Sequence, residues 1–554
     1  MRSLREIAFR ARQEASNLAL LAYPPRLPKT FLAPHVSPLP TVSAATAGEI
    51  ARLAEEIRSR RIPLFDLKLD FDSPTPWRRD ALSGRETPPD YFRRIPYLNA
   101  EEAGDHKIIW ELNRHQHLVV LAQAGDEASL RALFSELESW FLQNPFQRGI
   151  NWVSALEVAF RALSWIQIYQ MAGRHMTPEL RREFLQNLYR HGRHLEANLS
   201  IYFSPNTHLL GEAVALHALG VLFSGFPGAA RWVETGRRWV SHEYIRQIHG
   251  DGSHFEQSSY YHVYALDMFL LHAGLAGASE EERTILDRMT GFLEALLGPN
   301  RELPFLGDDD GGRLFHAYGR RAWFARDTLR AANAFLGRPP GERGSRLFKD
   351  AGIAVMEDGD RHILIDAGSF GPGRAGHSHS DTLNLVVRSG EEWLLIDPGT
   401  YTYVGDPAWR EYFRGSASHN TIRVAGRDQA LAAGPFWWKD SPRVSILEWS
   451  TSATRDELFA ECAYGDFVHR RRVVFEKPGR LIVTDDIDGP PGEHLVEQFW
   501  HAGSTNAVRH LIVEGGIQRE AWRSGGFASK HLGPVVVVEK RGTLPCRLTS
   551  ALEF

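Results

Sequence analysis

Twelve residues, Asp251 to His262, concentrate side chains that can perform acid–base chemistry. Their sequence, DGSHFEQSSYYH, combines two carboxylates, two histidines and two adjacent tyrosines. Asp251 to Ser253 is typical of a turn and helix N-cap, and the apolar spacing that follows predicts a helix with both tyrosines in its first turns. The positive end of a helix dipole favours phenolate and predicts a lowered tyrosine pKa. The alternative is that Tyr260 or Tyr261 packs in the core with its hydroxyl bonded.

Two earlier clusters carry polar and aromatic side chains on predicted helices. In WELNRHQH, from Trp110 to His117, donors and acceptors occupy successive positions of one helix, as a solvated face would also have. In GINWVSALEVAFR, from Gly149 to Arg161, a tryptophan at a helix start offers a stacking plane for a sugar or a core side chain. The candidates for sugar contact in these clusters are Arg114, His115, Asn151 and Trp152.

Two further clusters combine carboxylates with an amide or with glycine. In SPNTHLLGE, from Ser204 to Glu212, Asn206 stands near a helix start, and His208 and Glu212 share one face. A helix cap and an i,i+4 pair explain the same residues structurally. In LGDDDGG, from Leu306 to Gly312, three aspartates beside glycines indicate calcium binding, general acid work or a solvated turn.

Histidines and an aspartate recur at strand ends in the C-terminal part. In GHSHSD, from Gly376 to Asp381, His377 and His379 point the same way if the segment is extended, and two such imidazoles often share a metal or an anion. Asp397 ends a predicted strand, and His419 precedes another. Two histidines and one aspartate make a plausible zinc set with an open position for water.

The elements that must position these side chains change in type along the chain. From about Ala47 to Leu336 the pattern is helical, with one helix predicted from Glu101 to Ala124, and it indicates antiparallel helix pairs in a ring or solenoid. Arg61 to Arg94 reads as a surface arm or small strand pair. The segment GRPPGERGSR, which begins at Gly337, reads as a linker. The short strands after it, without intervening helices, predict an antiparallel sandwich.

The length and composition of the chain limit its domain number, its ligand class and its location. A chain of 554 residues predicts two to four domains, of which two large ones fit best. The formal charge of -4 gives no case for nucleic acid or a membrane surface, so an acidic ligand requires a local basic cluster. Cys462 and Cys546 form no cysteine metal site or disulfide framework, although one bridge between them stays open. The start lacks a clear signal peptide, and no apolar run is long enough to span a bilayer. These features predict a cytoplasmic protein, with the periplasm or secretion as alternatives.

Taken together, the motifs resemble those of the heparinase II/III-like polysaccharide lyases. The resemblance runs from Trp110 to Asn420 and rests on the order of seven motifs. These are WELNRHQHL, GINWVSALEVAFR, SPNTHLLGEA, DGSHFEQSSYYH, HSHSDTLNL, IDPGTY and SHNT. It implies an α+β multidomain fold, with an incomplete (α/α) toroid of helical hairpins followed by an antiparallel β-sandwich. The implied division is an arm with the first helices at 1–95, a catalytic toroid at 96–340 and the sandwich at 341–554.

The resemblance also implies roles for individual residues. Asn206, Tyr261 and His377 fall on the family's catalytic positions, with Tyr260 as the alternative tyrosine. His379, Asp397 and His419 fall on a set that holds one structural zinc or another divalent metal, or that serves as a polar brace where metal is absent. No organic cofactor is implied. The residues expected to contact substrate are Arg114, His115, Asn151, Trp152, His208, Glu212 and Glu256.

The implied reaction is β-elimination on a uronic acid polysaccharide or oligosaccharide. The C5 proton is acidic only when the adjacent carboxylate is neutralised, a task for Asn206 helped by His377 or His208, and Tyr261 can take that proton or donate one to the leaving oxygen. No lysine and arginine run suited to highly sulfated heparin is present, which favours an oligosaccharide intermediate or a bacterial exopolysaccharide. The oligomeric state stays open.

Two other functions fit the same residues. One is a glycoside hydrolase on the toroid scaffold, whose acid and base would be Asp309 or Asp310 and Glu256 or Glu212. The other is a non-catalytic carbohydrate-binding protein of exopolysaccharide assembly. Elimination, unlike hydrolysis, leaves an unsaturated uronate that absorbs ultraviolet light, and a binding protein produces neither product.

Overall fold

The computed structural model describes residues 3–31, 34, 36–37, 39, 46–65, 67–314, 321–339, 341 and 343–554, with residues 321 and 322 described by backbone alone. The chain divides into two compact units. The helical unit comprises Met1–Arg246, Asp267–Glu282 and Gly312–Gly319, and the β unit comprises Gln247–Leu266, Arg283–Gly311 and Arg320–Phe554. The predicted domain limits at 95/96 and 340/341 stay predictions. The predicted linker after Gly337 lies partly outside the described residues.

Helices dominate the chain up to residue 336. Within the described residues they are α1 Leu4–Ala22, α2 Ala47–Arg58, α3 Ala100–Ala103, α4 His106–Asn113, α5 Gln116–Ala124, α6 Glu127–Gln143, α7 Ala155–Ala172, α8 Pro178–Asn198, α9 Thr207–Leu222, α10 Ala229–Gln247, α11 Ser259–Ala276, α12 Glu280–Leu297 and α13 Arg321–Leu336. Helix α7 is buried along nearly its whole length and packs against α5, α8 and α9. A helix enclosed in this way is apolar on several faces, because each face meets a neighbour.

The single helix predicted from Glu101 to Ala124 is three helices in the structure. Gly104 ends α3 with φ +73°, and the side chain of Asp105 caps α4 by accepting a hydrogen bond from the backbone of Lys107. His115 then adopts a left-handed conformation, with φ 60° and ψ 23°, between α4 and α5. Such a conformation interrupts a right-handed helix, and nothing in apolar spacing reveals it. The polar cluster around His115 therefore spans two helices rather than one.

As far as its residues are described, the β unit contains three antiparallel sheets, and a separate strand pair precedes them in the chain. The pair, β1 Arg61–Leu64 and β2 Leu67–Asp70, confirms the predicted strand pair. The other strands are β3 Arg346–Phe348, β4 Ile353–Asp358, β5 Arg361–Asp366, β6 Asn384–Ser389, β7 Glu392–Leu395, β8 Ile422–Val424, β9 Arg443–Thr451, β10 Arg455–Tyr464, β11 Phe467–Glu476, β12 Arg480–Asp488, β13 Glu493–His501, β14 Leu511–Val513, β15 Ile517–Gly526, β16 Ser529–Thr543 and β17 Cys546–Glu553. Their orders are β3-β4-β5-β6-β7, β14-β17-β12-β11-β10-β9 and β15-β16-β13-β8.

One apolar core joins the three sheets of the β unit. Burial alternates residue by residue along β10 and β12, so that one face of each strand enters the core. Fully buried members of this core include Ile363, Val387, Leu458, Phe475, Val496 and Trp500. Strands packed in this way form a rigid support for the loops that connect them.

Among the described residues, one α-helix lies between the strands, contrary to the sequence prediction. Helix α14, Pro407–Arg414, begins with the side chain of Asp406 accepting hydrogen bonds from two backbone amides, and a proline occupies its first turn. It buries Arg410 and Arg414. Both cysteines are free. Among the described helices, none combines the length and the apolar character that a membrane span requires.

Candidate functional site

Tyr261 lies in the first turn of α11, and the hydroxyl of Ser258 fixes that turn. Ser258 Oγ accepts a hydrogen bond from the backbone N of Tyr261 at 3.2 Å and donates one to the carbonyl of Asp308 at 2.6 Å. The predicted turn at Asp251 is present, since the backbone N of Ser253 donates to its carboxylate at 3.1 Å, but the helix begins only at Ser259, eight residues after Asp251. The predicted helix cap is therefore corrected to Ser258.

The phenol of Tyr261 is surrounded by groups that disfavour its ionisation. Its hydroxyl lies 3.3 Å from Asp310 Oδ2 and 3.0 Å from the hydroxyl of Tyr403. Burial, followed by the negative charge of Asp310, raises the pKa of Tyr261 well above its usual value. The lowered pKa expected from the helix dipole is wrong, because loss of water and a full negative charge outweigh the half-charge of a helix end.

The imidazole of His377 stacks on the ring of Tyr261, with centroids 3.9 Å apart and planes at 23°. Its Nδ1 lies 3.1 Å from Asp308 Oδ2, and its Nε2 lies 3.3 Å from Glu256 Oε2. Burial lowers the pKa of His377, but the hydrogen bond to Asp308 and the charge of Glu256 outweigh burial and raise it. The side chain remains 10% exposed, so His377 lies at the edge of the buried cluster.

Asp308 is the centre of this cluster and is fully buried. Arg410 donates to both of its oxygens, at 2.5 and 2.8 Å, and His379 Nε2 lies 2.9 Å from Oδ1. Burial opposes ionisation of Asp308, yet the charge of Arg410 and the bonds from the two histidines hold its pKa well below the usual range. His377 and His379 thus share an anion, and that anion is the carboxylate of Asp308.

A glycine allows the two loops of the cluster to meet. Gly307 has φ +64°, and a Cβ there would lie 2.7 Å from the carbonyl O of His377. The backbone N of Asp308 donates to that same carbonyl at 2.9 Å. Only glycine permits both this conformation and this approach. The following aspartates, Asp309 and Asp310, are also buried, so the predicted solvated turn is wrong.

A second group of buried side chains lies beyond Asp308. Ligand atoms of His379, Asp397 and His419 all lie within 4.8 Å of one another. His419 Nδ1 is 2.7 Å from Asp397 Oδ2, which also accepts a hydrogen bond from Asn384 at 2.8 Å. Among the described residues, His379 Nδ1, His419 Nε2 and Asp381 Oδ2 are buried without a hydrogen-bond partner. Orphaned nitrogens beside carboxylates are the donor set that a divalent metal requires, so these residues fit one.

The sequence alone did not indicate the roles of four residues of the β unit. Asp308 was one of three equivalent aspartates in LGDDDGG, and Tyr403 and Arg410 lie in a segment with no expected role. Asp381 belongs to the motif GHSHSD but was not expected at the metal group. Burial raises the pKa of Asp381, the positive charges of His419 and His379 oppose that rise, and the negative charge of Asp397 adds to it. An acidic residue next to an HxH pattern is the signal that could have identified Asp381.

In the helical unit, Asn206 caps α9. Its side-chain oxygen accepts a hydrogen bond from the backbone N of His208 at 3.1 Å, and both side chains are partly exposed. Glu212 is buried and accepts hydrogen bonds from the backbone N and the hydroxyl of Ser200, each at 2.7 Å. Burial raises the pKa of Glu212 to about 8. Asn206 and His208 thus keep part of their surface accessible, whereas Glu212 is buried.

The four other predicted sugar contacts of the helical unit are interior residues. Arg114 donates to both oxygens of Glu157, at 2.7 and 2.8 Å. His115 Nδ1 lies 2.8 Å from the indole nitrogen of Trp165, and Asn151 donates to the carbonyl of Trp77 at 2.9 Å. The fully buried residues of the set are His115, Asn151 and Trp152, and Arg114 is 1% exposed. Their burial argues against direct contact with a sugar and assigns them to the packing of the helices.

Family models match both the N-terminal and the C-terminal part of the chain. The family model described as Heparinase II/III N-terminus matches residues 86–312, and the one described as Heparinase II/III-like, C-terminal matches residues 340–530. The chain is 24% identical to a heparin-sulfate lyase of Pedobacter heparinus over 69% of its own length and 60% of the relative's. A heparin-sulfate lyase of Bacteroides stercoris is 23% identical over 70% and 62%. The chain thus spans about 60% of the length of these curated relatives.

Solved structures of similar fold cover nearly the whole chain. A crystal structure of heparinase III matches with a TM-score of 0.72 and 17% identity over 98% of this chain and 89% of that one. A mutant heparan sulfate lyase from Pedobacter heparinus matches with a TM-score of 0.58 and 19% identity over 99% and 88%. These likenesses establish the fold, and they confirm the predicted helical toroid followed by antiparallel β-sandwich. With two family models matched along it, the chain belongs to the heparinase II/III-like family.

Proposed function

We propose that this protein is a lyase that cleaves a uronic acid polysaccharide or oligosaccharide of the glycosaminoglycan type by β-elimination. The observation that carries the proposal is the stacked pair of Tyr261 and His377, whose partners Tyr403, Asp308 and Glu256 hold a proton donor and a proton acceptor side by side. The relatives named heparin-sulfate lyases support the reaction type.

β-Elimination imposes three requirements on a site. A base removes the proton at C5, the electron pair of that bond forms the C4–C5 double bond, and the C4–O bond breaks. The departing oxygen then takes a proton from an acid. The charge that develops on the uronate carboxylate must also be stabilised. No electrons are lost or gained, so acid–base groups and hydrogen-bond donors suffice.

Tyr261 fits the acid. Its raised pKa keeps it a phenol in the resting site, ready to donate to the departing oxygen. Tyr403 is 3.0 Å away, and after each turnover its hydroxyl can pass a proton from water to the Tyr261 phenolate while His377 releases the C5 proton to water. The negative charge of Asp310, 3.3 Å from the phenol, opposes phenolate formation in the resting state.

His377 fits the base. When Asp308 accepts the Nδ1 proton, the neutral imidazole carries its lone pair on Nε2, and that atom takes the C5 proton. Glu256, 3.3 Å from Nε2, stabilises the imidazolium that results. Because His377 must be neutral to begin the reaction and its pKa is raised, turnover is expected to increase with pH until enough imidazole is neutral.

The role proposed for Asn206 in the reaction is supported by its sequence motif and by its position at the start of α9. An amide at the partly exposed N-cap of α9 can hydrogen-bond a uronate carboxylate and stabilise the charge that develops there. His208, two residues on and partly exposed, is a second candidate for that contact. The buried residues Arg114, Asn151 and Trp152 are assigned no substrate contact.

We further propose that His379, Asp397 and His419 hold one structural zinc or another divalent ion. Bound there, such an ion supplies a fixed positive charge that ties together three chain segments. His379 contacts Asp308, so its position bears on the carboxylate that orients His377. Asp381, with its unpartnered buried oxygen, is a further candidate ligand.

The test is ultraviolet absorbance during incubation with a panel of uronate polymers and oligomers, from unsulfated to highly sulfated. Wild type is expected to produce the absorbance of an unsaturated uronate on at least one substrate, and Tyr261→Phe is expected to lose it. A parallel assay for reducing ends separates the alternatives. Reducing ends without absorbance would indicate hydrolysis and overturn the lyase proposal, and binding without either product would indicate a carbohydrate-binding protein.

A further inference from the structure

We propose that Arg374, stacked on Trp437, forms a subsite that binds the acidic group of a sugar next to the one that is cleaved. The inference rests on the proposed lyase function and deepens it, because it names residues that select an acidic neighbouring sugar. The ligand chemistry is a carboxylate or a sulfate on a pyranose ring.

The geometry of the pair is that of a prepared anion site. The guanidinium carbon of Arg374 lies 3.9 Å from the centroid of a Trp437 ring. Both side chains are exposed, Trp437 to 41%. Within the described part of the chain, no carboxylate lies within ion-pair distance of Arg374. By contrast, Arg410 is buried and bound to Asp308. Arg374 therefore keeps its charge available for a ligand.

Hydrogen bonds fix this pair beside His377. The backbone N of Trp438 donates to the carbonyl of Arg374 at 3.2 Å, and the Trp438 indole donates to the carbonyl of Ser378 at 2.9 Å. The loop that carries Arg374 and His377 is thus bonded to the segment that carries Trp437 and Trp438.

Aromatic contacts join the same segment to the proposed acid. The ring of Phe436 lies 6.3 Å from that of His377 and 4.9 Å from that of Tyr403, measured between centroids. Arg410 donates to the carbonyl of Pro435 at 3.0 Å, which ties this segment to helix α14. Arg374 and Trp437 therefore lie at the border of the cluster, where a polymer bound at His377 would continue.

The chemistry of the pair favours an acidic sugar. Stacking occupies a face of the guanidinium, while its five N–H donors lie in its plane and suit the paired oxygens of a carboxylate or sulfate. The indole restricts the arginine to few conformations, so less entropy is lost when an anion binds. The exposed edge of the indole adds an apolar surface for the C–H groups of a sugar ring.

The effect on kinetics follows from where the contact is made. A group that binds a sugar beside the reacting one holds the ground state and the transition state equally. Arg374→Gln is therefore expected to raise KM by about tenfold to a hundredfold, the loss of a charge-assisted hydrogen-bonded pair, and to leave kcat within about twofold. Arg374→Lys keeps the charge but not the planar guanidinium group, so its KM is expected to lie between those of wild type and Arg374→Gln. Trp437→Phe tests the stacking plane with a smaller change of shape.

The experiment measures KM and kcat for these variants on two matched oligosaccharides, one unsulfated uronate-containing and one N- and O-sulfated. Arg427→Gln is the matched control. That residue is also exposed in the β unit and lies 5.7 Å from the ring of Phe467. A KM increase on both substrates identifies a carboxylate as the ligand, and an increase on the sulfated one alone identifies a sulfate. An unchanged KM for Arg374→Gln, or a loss confined to kcat, would overturn the subsite.

A binding measurement separates failure of this inference from failure of the lyase proposal. Calorimetric titration of the same oligosaccharides into Tyr261→Phe, with and without Arg374→Gln, reports affinity without turnover. Weaker binding in the double variant supports the subsite even where wild type produces no unsaturated uronate. Equal affinity in the two proteins would overturn it, whatever the activity of wild type.

Discussion

The imidazole of His377 lies face to face with the phenol of Tyr261, 3.9 Å between ring centroids. The two rings have separate partners, since the histidine is bonded to Asp308 and the tyrosine to Tyr403. Each ring therefore has a hydrogen-bond partner of its own in addition to the stacking contact. A donor and an acceptor held in contact in this way can serve two proton transfers on one sugar without rearrangement.

The two tyrosines of this cluster are expected to differ in their importance for turnover. Tyr261→Phe removes the proposed proton donor and is expected to lower kcat by about 10²-fold to 10⁴-fold, the usual contribution of a general acid. Tyr403→Phe removes only the partner that returns the proton, so a loss of about tenfold is expected, the worth of one hydrogen bond. Initial rates of ultraviolet absorbance measure both. Tyr260→Phe is the control and is expected to retain activity, so a loss there as large as that of Tyr261→Phe would reassign the catalytic tyrosine.

The pair of Asp308 and Arg410 is expected to be strongly coupled in stability. The two side chains are 0% and 1% exposed, so replacing either alone leaves a buried charge without its partner. Asp308→Asn or Arg410→Met is expected to cost about 3 to 5 kcal/mol in the free energy of unfolding. The double variant should cost less than the sum of the singles, because no unpaired guanidinium or carboxylate then remains. Denaturant unfolding of the four proteins measures the coupling. Additive losses would show that the pair is not the unit that stabilises the cluster.

Apolar spacing along the sequence predicts many of the helices and strands correctly. It does not predict which distant segments contact one another. The helical pattern predicted from about Ala47 to Leu336 agrees with the structure, since α2 begins at Ala47 and α13 ends at Leu336. The partner of His377 could not be predicted in the same way. Asp308 lies 69 residues away in sequence and meets His377 because Gly307 allows two loops to touch. Local patterns report which face of an element is apolar, and they carry no information on which distant loop approaches it.

The interior of the helical unit illustrates a second limit. Arg114 is among the residues expected to contact a sugar, and an arginine is rarely buried unless it is paired. Arg114 is nevertheless buried, because Glu157 accepts from it in a paired geometry. Trp152 is likewise fully buried. A buried ion pair between two helices leaves no signature in either helix alone, so only the packed structure reveals it.

The metal group predicts a stoichiometry and a stability effect. Metal analysis of wild type is expected to find about one equivalent per chain, and a chelator is expected to lower Tm, because metal bound to the folded state stabilises it. His379→Ala and His419→Ala should each lose the metal. His469→Gln is the matched control, since His469 is also buried and lies 2.7 Å from an aspartate, Asp485, outside the metal group. Absence of metal from protein purified with added zinc would leave the group as a polar brace.

Asn206 is expected to act mainly in the transition state. Asn206→Ala removes the amide that would stabilise charge on the uronate carboxylate, so kcat should fall by about 10²-fold or more while KM changes little. Asn206→Ser keeps a side chain able to cap α9 and serves as the control for the helix start. If both variants lose activity equally with Tm unchanged, the cap is not the cause. A wild-type rate in Asn206→Ala would remove Asn206 from the mechanism.

Glu212 is expected to make the stability of the helical unit depend on pH. Burial raises the pKa of its carboxyl from 4.5 to about 8 in the folded protein, while the unfolded chain ionises near the ordinary value. The folded state therefore retains a proton that the unfolded state has lost, and stability falls as pH rises from about 4.5 to 8, at a limit of about 1.4 kcal/mol per pH unit. Glu212→Gln keeps an acceptor for the backbone N of Ser200 and cannot ionise. The free energy of unfolding of this variant should therefore lack the decrease with pH that Glu212 causes. Urea unfolding of both proteins at several pH values measures the difference. A difference that stays constant from about pH 5 to 8 would show that Glu212 is already ionised in the folded protein, despite its burial.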